Sequence, residues 1–129
     1  MFEIVIYTAS TQTYASIIVK TLDPHSQYIT QILSRGSCLM TKNGFFIKDL
    51  RLIENRKLKN VVLLDNYVHS FAFTIENGVP ILEWRNDKED DELLHILNYL
   101  QELSEVPDIR KHNRECLNLA SIPSLTTFK

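Results

Sequence analysis

The stretch Lys59-Asn60-Val61-Val62-Leu63-Leu64-Asp65-Asn66 carries the strongest strand signal in the chain. Four consecutive apolar residues lie between polar ones, which predicts a short β-strand that is buried on both faces. The run ends on an aspartate and an asparagine, whose side chains carry the hard oxygen atoms that Mg²⁺ prefers. A second apolar, β-branched run, Glu3 to Thr8, ends on the small polar residues Thr8-Ala9-Ser10. We therefore predict two buried strands with polar tips.

The other predicted elements alternate between helix and strand. A helix capped by Ser10 or Thr11 follows the Glu3 to Thr8 strand and ends at Asp23-Pro24. Two short apolar runs around Asn43-Gly44 predict a β-hairpin. The remaining predictions are a strand over Tyr28 to Leu33, a short helix over His69 to Phe73, a strand over Val79 to Leu82, an amphipathic helix that follows Asn86 or Asp87 and ends at Pro107, and a short helix from Asp108 to about Leu117.

This order of elements indicates an α/β fold with a largely parallel sheet. The leucine stripe from Leu93 to Leu103 is expected to lie in the core, together with Trp84 and the Phe71/Phe73 pair. In parallel sheets ligands bind at the carboxyl ends of the strands. Two predicted strand tips carry suitable polar groups, and Lys48 at the end of the hairpin adds a third.

All three of these polar groups suit the chemistry of phosphoryl transfer. Hydroxyl and backbone N–H donors bind the phosphoryl oxygens, a cation neutralises their charge, and hard oxygen ligands hold Mg²⁺. Thr8 and the Ala9 amide would be the donors and Lys48 the cation, while Asp65 and the Asn66 carbonyl oxygen would serve the metal. Each residue alone has an ordinary structural explanation, as a cap, a turn or a surface charge.

Several segments resemble, in the right order, the motifs of the small CTD phosphatase and Dullard-like group of the haloacid-dehalogenase superfamily. Ile6 to Ser10 followed by Tyr14-Ala15 resembles the second motif of that group, and Ser34 to Cys38 with Phe46 to Leu50 resembles its arginine-cysteine and lysine motifs. Lys59 to Asn66 resembles the fourth, metal-binding motif. The resemblance continues through Phe71 to Phe73, Glu76 to Ile81, Trp84 and Asp90 to Leu94, and reaches about residue 110.

The resemblance implies a role for each matching residue. Thr8 would bind the phosphoryl group, Lys48 would neutralise it, and Asp65 and Asn66 would serve the Mg²⁺. The phosphorylated peptide would be held by Ala9, Arg35 and Tyr14, with Tyr14 in the wall of a pocket for an apolar or proline side chain. The substrate would be a phosphoprotein or phosphopeptide, such as the C-terminal domain of RNA polymerase II.

The chain departs from that group at its first motif. The Asp-x-Asp-x-Thr/Val sequence, which supplies the nucleophile and the general acid, does not occur in the 129 residues. The resemblance therefore implies an incomplete haloacid-dehalogenase-like, Rossmannoid three-layer fold that lacks its first, central strand and carries a small β-hairpin insertion. We expect a partial phosphatase-like (FCP-homology) domain over residues 1–117 and a flexible tail over 118–129. Weakened Mg²⁺ binding and no turnover by this chain alone are expected, unless an upstream segment complements it.

Composition narrows the class of protein. A formal net charge of -2 gives no general attraction to nucleic acid. No apolar run approaches the roughly 20 residues that span a bilayer, and no signal peptide is recognisable. Two cysteines are too few for a disulfide framework. We expect an intracellular protein of the nucleus or cytoplasm, with no membrane span and no nucleic-acid partner.

Two alternatives remain open. The first is a non-catalytic peptide- or protein-binding module on the same fold, as in the presequence-translocase receptor of the mitochondrial inner membrane, and only this alternative would place the chain at that membrane. The second is a degenerate gene product without a stable fold.

Overall fold

The computed structural model describes residues 1–122 and forms two compact units, Met1–Lys48 and Asp49–Lys129, called unit 1 and unit 2 below. Both contain helices and strands, so the predicted mixed α/β composition is confirmed. The described residues form three two-stranded sheets. The three-layer haloacid-dehalogenase-like arrangement and the missing central strand stay predictions.

Unit 1 is a β-α-β unit followed by a hairpin. Strand β1 (Ile4–Tyr7) pairs in parallel with β2 (Ile29–Leu33), and helix α1 (Gln12–Leu22) connects them. Thr11 is the N-cap of α1, as predicted, and its hydroxyl accepts the Tyr14 amide hydrogen at 3.4 Å. Only Ala15 of α1 is buried, and its apolar residues Tyr14, Ile17 and Leu22 are largely exposed.

The connection from α1 to β2 is fastened by one side chain. Asp23, buried at the C-terminal end of α1, accepts the backbone N–H groups of Gln27, Tyr28 and Ile29, each at 2.9 Å. These hydrogen bonds to its charged form hold the pKa of Asp23 below its usual value, led by the one from Ile29. The turn and the first residue of β2 are thereby fixed to the helix end.

The predicted hairpin is confirmed. Strands β3 (Leu39–Met40) and β4 (Phe46–Ile47) pair antiparallel, and Gly44 in the connecting turn has φ +82°, which favours glycine. Thr41 closes the turn, because its N–H donates to the Phe45 carbonyl at 2.8 Å and its hydroxyl accepts the Phe45 N–H at 3.0 Å. Lys48 follows β4 directly.

Unit 2 contains the second parallel strand pair, β5 (Leu63–Asp65) and β6 (Gly78–Pro80), and the helices α2 (Glu92–Glu105) and α3 (Ile109–Cys116). Strand β5 starts two residues later than predicted, because Val61 closes a 3₁₀ turn over Leu58–Asn60. The predicted helix over His69 to Phe73 is a 3₁₀ turn over Val68–Phe71. Helix α3 has the predicted limits and is capped by Asp108.

The core of unit 2 forms around Phe71, whose side chain is fully buried. Gly78 lies so close to the Phe71 ring that a Cβ atom there would approach its Cε2 atom to 2.6 Å. Buried Asn77 donates from Nδ2 to the Leu58 and Val61 carbonyls at 2.6 and 2.7 Å, which ties the residue before β6 to the chain before β5. The other apolar core residues of unit 2 include Leu50, Leu63, Ala72, Ile75, Val79, Leu103 and Ile109.

Two sequence predictions in unit 2 are wrong. Helix α2 begins after Asp91, not directly after Asn86 or Asp87: Asn86 has a left-handed φ of 59°, and the Asp87 side chain accepts the Glu89 N–H in a turn. The leucine stripe and Trp84 do not form a common core. Leu103 is buried, but Leu93 is 62 % exposed and Trp84 63 % exposed, and Leu94 and Leu97 are also largely exposed.

The predicted tail lies partly outside the described residues. Leu119–Ser121 form a 3₁₀ turn, whereas 123–129 are not described. Within residues 1–122, no helix has the length and apolar character needed to cross a bilayer.

Candidate phosphate- and metal-binding site

The predicted phosphate-binding residues lie where β1 ends and α1 begins. The Thr8 N–H donates to the Leu33 carbonyl at 2.8 Å, which continues the β1–β2 pairing past the last strand residue. The Thr8 hydroxyl oxygen accepts the Ser10 N–H at 3.1 Å. This local turn fixes the Thr8 side chain, and it leaves the hydroxyl hydrogen able to donate to a ligand.

Arg35 joins this turn to the hairpin. Its Nε donates to the Ala9 carbonyl at 2.7 Å, and its backbone N–H donates to the Ser10 carbonyl at 2.9 Å. The guanidinium carbon lies 5.5 Å from the centre of the Phe46 ring, within the range of a cation–π contact. Since Phe46 lies two residues before Lys48 on β4, Arg35 connects the predicted phosphate-binding turn with the strand that leads to the predicted cation.

The segment that carries Arg35 is itself anchored to the two strands of unit 1. The 3₁₀ turn Arg35–Ser37 follows β2 directly, and the buried Tyr7 donates its hydroxyl hydrogen to the Ser37 carbonyl at 2.5 Å. The Cys38 thiol lies 3.6 Å from the Thr8 carbonyl. These contacts were not predicted from the sequence, because a hydroxyl at the end of an apolar strand gives no indication of its partner.

Five of the predicted site residues therefore belong to unit 1 and are placed as follows. Thr8 and Ala9 lie half-buried at the polar end of β1, and Arg35 is exposed on its surface. Tyr14 is 58 % exposed on the first turn of α1, which suits a residue of a peptide-binding wall. Lys48 is half-buried after β4.

The predicted metal-binding pair lies in unit 2, at the carboxyl end of β5. Asp65 is buried, its Oδ1 accepts the Tyr67 N–H at 2.8 Å, and its carbonyl accepts the Ile81 N–H at 3.1 Å. Asn66 is exposed beside it. The strand end thus holds the Asp65 carboxylate in one orientation and leaves the next residue accessible.

The donor set at this strand end fits Mg²⁺ in kind. Magnesium in proteins is usually held by one or two carboxylates and retains several waters, and Asp65 with Asn66 offers one carboxylate and one carbonyl. Among the described residues no group of three or more His, Cys, Asp or Glu side chains could hold a metal ion. A site here would therefore depend on water, on a phosphate oxygen or on a further protein ligand.

Other acids with lowered pKa values have structural partners. The guanidinium of Arg51 holds the pKa of Asp49 below its usual value through a bidentate pair, and Arg114 does the same for Glu76. Arg110 lowers the pKa of Asp108 to about 2. Each of these carboxylates is held as an ion-pair partner, which argues against a nucleophilic or general-acid role.

Sequence reasoning missed the cleft beside Asn66. This cleft of unit 2 has a volume of about 380 Å³, and Trp84 is one of its lining residues. Trp84 was predicted to lie in the core, but it is largely exposed. A signal was available, because polar residues flank this tryptophan from Glu83 to Asp87. Charged and amide side chains are mostly exposed, so these neighbours favour a surface position for the segment that carries Trp84.

The candidate site residues all lie in the part of the chain that matches a known protein family. Residues 1–110 match the family model described as NLI interacting factor-like phosphatase. The chain is 39% identical over 124 residues to CTD small phosphatase-like protein 2 of Dictyostelium discoideum, which covers 96% of this chain and 21% of that protein. Two further relatives are CTD small phosphatase-like protein 3 of Caenorhabditis elegans, 37% identical over 116 residues (90% of this chain, 39% of that protein), and carboxy-terminal domain RNA polymerase II polypeptide A small phosphatase 1 of Homo sapiens, 34% identical over 109 residues (84% of this chain, 41% of that protein). The chain thus spans between about a fifth and two fifths of the length of these relatives.

Proposed function

The chain belongs to the NLI interacting factor-like phosphatase family, and on this premise we propose that it carries part of the site of a Mg²⁺-dependent protein serine/threonine phosphatase. Its ligands are phosphoserine or phosphothreonine segments of other proteins, such as the C-terminal domain of RNA polymerase II. The name of the human relative, a small phosphatase of that polymerase domain, supports this substrate class. A nuclear or cytoplasmic location is part of the proposal.

The observation that carries the proposal is the Arg35 contact with the β1–α1 turn. The Arg35 Nε–H donates to the Ala9 carbonyl at 2.7 Å. A guanidinium therefore lies beside the turn that holds the Thr8 hydroxyl. A phosphoryl group and its peptide can be bound by a hydroxyl donor, the Ala9 backbone N–H and a guanidinium on the same turn. Thr8 donates to a phosphoryl oxygen, Arg35 binds the peptide beside it, and Lys48 supplies a compact positive charge.

Asp65 and Asn66 are the residues that would hold Mg²⁺. When bound, the metal neutralises negative charge on the phosphoryl group and orients it. The Tyr67 N–H restrains the Asp65 carboxylate, so this ligand is held in one orientation at the strand end. Asn66, exposed at the surface, contributes its carbonyl oxygen.

We further propose that the 129-residue chain has no phosphatase turnover by itself. No two aspartates in the sequence are separated by a single residue, so the Asp-x-Asp nucleophile and general acid are absent. An upstream segment with this motif would complement the chain. The test is hydrolysis of a phosphoserine peptide with Mg²⁺, by the chain alone and after addition of a synthetic Asp-x-Asp-x-Thr strand peptide. Turnover by the chain alone would disprove the inactivity.

Peptide binding tests the phosphate-binding role separately from turnover. We expect the chain to bind a labelled phosphoserine peptide more tightly than its unphosphorylated counterpart in fluorescence anisotropy. Lys48→Ala should weaken phosphopeptide binding by at least about tenfold, since a hydrogen bond to a charged group contributes about 1.5–3 kcal/mol. Lys42→Ala is the matched control, because Lys42 is an exposed lysine at the hairpin tip. Equal effects of the two substitutions would refute the role of Lys48.

One observation favours the second candidate, a non-catalytic peptide-binding module. Tyr14 and Arg35 are exposed, as a peptide-binding surface requires, and binding through these two residues needs no catalytic aspartate. This module would bind phosphorylated and unphosphorylated peptides equally, and the upstream strand peptide would restore no turnover. The same two assays therefore separate the candidates.

A further inference from the structure

The cleft beside Asn66 has walls of two chemical kinds. Four of its lining residues are apolar and three are acidic, and the cleft occupies about 380 Å³. The apolar residues are Ile81, Leu82, Trp84 and Leu93, and the acidic ones are Glu83, Asp90 and Glu92. All of these residues, and Asn66 itself, belong to unit 2. A space of this size accommodates one or two amino-acid side chains of a bound peptide.

Trp84 offers a fixed aromatic surface in this cleft. Its side chain is largely exposed, although tryptophan is usually well buried. The indole Nε1 donates to the Asp87 carbonyl at 3.0 Å, so the orientation of the ring is restrained. A restrained, exposed indole binds cations through its face, and tryptophan does so better than other aromatic residues.

The negative charge of the segment around the cleft indicates a positively charged ligand. Residues 83–92 contain six acidic residues and two basic ones. Glu83 pairs with Arg85 at 3.3 Å in an exposed, weak ion pair. Glu92 and Asp90 each accept one backbone N–H with one carboxylate oxygen, from Leu82 at 3.0 Å and from Glu92 at 3.1 Å. Asp90 is exposed whereas Glu92 is half-buried, so the Asp90 carboxylate is the more accessible of these two to an incoming cation.

From this combination we infer that the cleft is a subsite for an arginine side chain, with a neighbouring apolar residue, of the phosphoprotein that the chain binds. A guanidinium stacks on the Trp84 face and pairs with the Asp90 carboxylate in one plane, which the compact ammonium of lysine does less well. Leu82 and Leu93 contact the apolar neighbour. The identity of the occupant as a segment of the phosphoprotein rests on the proposed function, because Asn66 belongs both to the cleft and to the proposed metal-binding pair.

The chain provides its own reporter for this subsite, because Trp84 is its only tryptophan. The experiment titrates the full chain with an unphosphorylated Arg-Leu-containing peptide and follows tryptophan fluorescence. Two further peptides replace the arginine by citrulline, which removes the charge but keeps the shape, and by lysine. We expect the arginine peptide to change the Trp84 emission and to bind at least about threefold more tightly than either analogue.

Two matched variants test the acidic wall. Asp90→Asn should weaken binding of the arginine peptide about two- to fivefold, and the side-chain amide oxygen of this variant could still accept the Glu92 N–H. Glu89→Gln removes the same charge from the same segment outside the cleft lining, and it should leave the affinity unchanged. Circular dichroism spectra that match those of the wild type establish that both variants are folded.

Equal affinity for the arginine and citrulline peptides, or equal effects of Asp90→Asn and Glu89→Gln, would overturn the inference. These arms contain neither phosphate nor Mg²⁺, so they do not depend on the phosphatase assays. Arginine selection without any preference for phosphopeptides would support the subsite and refute the proposed function. A phosphopeptide preference without arginine selection would support the proposed function and refute the subsite.

Discussion

Replacing Gly78 by alanine should destabilise unit 2 severely. The new Cβ would lie well inside van der Waals contact with three atoms of the Phe71 ring, with Cε2 at 2.6 Å. The ring is fully buried, so it cannot swing into solvent, and Gly78 is part of β6, so its backbone is held by β5. Overpacking of this kind costs about 1–3 kcal/mol. We expect the upper end of that range, which is a large share of a total stability of roughly 5–15 kcal/mol.

Urea unfolding followed by Trp84 fluorescence measures this effect, because Trp84 and Gly78 belong to the same unit. With an m value of about 1–3 kcal/mol/M, a loss of about 3 kcal/mol lowers the midpoint by at least about 1 M. Gly36→Ala is the control, since no atom lies within 4 Å of its added Cβ, and its stability should stay within about 0.5 kcal/mol of wild type. Because Gly36 belongs to unit 1, unfolding of this variant is followed by far-ultraviolet circular dichroism as well as by Trp84 fluorescence. Combining Gly78→Ala with Phe71→Leu should recover part of the loss. A wild-type midpoint for Gly78→Ala alone would refute the argument.

Three further predictions follow from buried or charged hydrogen bonds. Asn77→Ala leaves two backbone carbonyls without their buried donor and should lower the stability of unit 2 by about 2–4 kcal/mol in thermal melts; an unchanged melting temperature would contradict this. Asp23→Ala removes the acceptor of three backbone N–H groups, so hydrogen exchange at residues 27–29 should become faster, whereas exchange in the hairpin should stay unchanged. The pKa of Asp108 is about 2 because of Arg110, below the unfolded value of about 3.9, so the stability that this pair provides is present above about pH 4 and is lost as the pH falls toward 2. Asp108→Asn should therefore reduce the slope of melting temperature against pH over that window, and an unchanged slope would show that the pair contributes nothing.

Local signals in the sequence predicted the elements of unit 1 well. Thr11 was one of two predicted caps, and Asp23-Pro24 ends α1 as expected, because capping and the restriction before proline act within a few residues. The Asn43-Gly44 turn was predicted for the same reason, since Gly44 adopts the left-handed conformation that the turn requires. These features depend on neighbours in the chain, and a single sequence contains that information.

Features that depend on distant partners were predicted less well. The region from Asn86 to Asp91 offers several residues that can cap a helix, and only the use of Asp87 in a turn with Trp84 and Glu89 decides that α2 begins after Asp91. The leucines of α2 show helical periodicity, but periodicity does not say which of them another element covers. In unit 2 Leu103 is covered, and Leu93 is not.

The candidate site also combines features that depend on neighbours in the chain with features that depend on distant partners. The strand-end positions of Thr8 and Asp65 were predicted from the runs that precede them, and the structure has both at the ends of parallel strands. The Arg35 contact with Ala9 joins residues 26 positions apart, and no local pattern announces it. The resemblance to a known group pointed to Arg35 as a peptide-binding residue, but not to its hydrogen bond with the backbone of the turn.

The way in which Asp23 fastens the start of β2 limits how this chain can be altered by insertion. An extra residue between Pro24 and Ile29 would separate the carboxylate from amides that it bonds at 2.9 Å, and would shift the register of β2 against β1. The exposed tip at Lys42-Asn43-Gly44 is closed instead by the backbone and side chain of Thr41, and no side chain of the tip itself takes part in these hydrogen bonds. An affinity tag or a fluorescent label is therefore better grafted at the hairpin tip than in the equally exposed turn after α1.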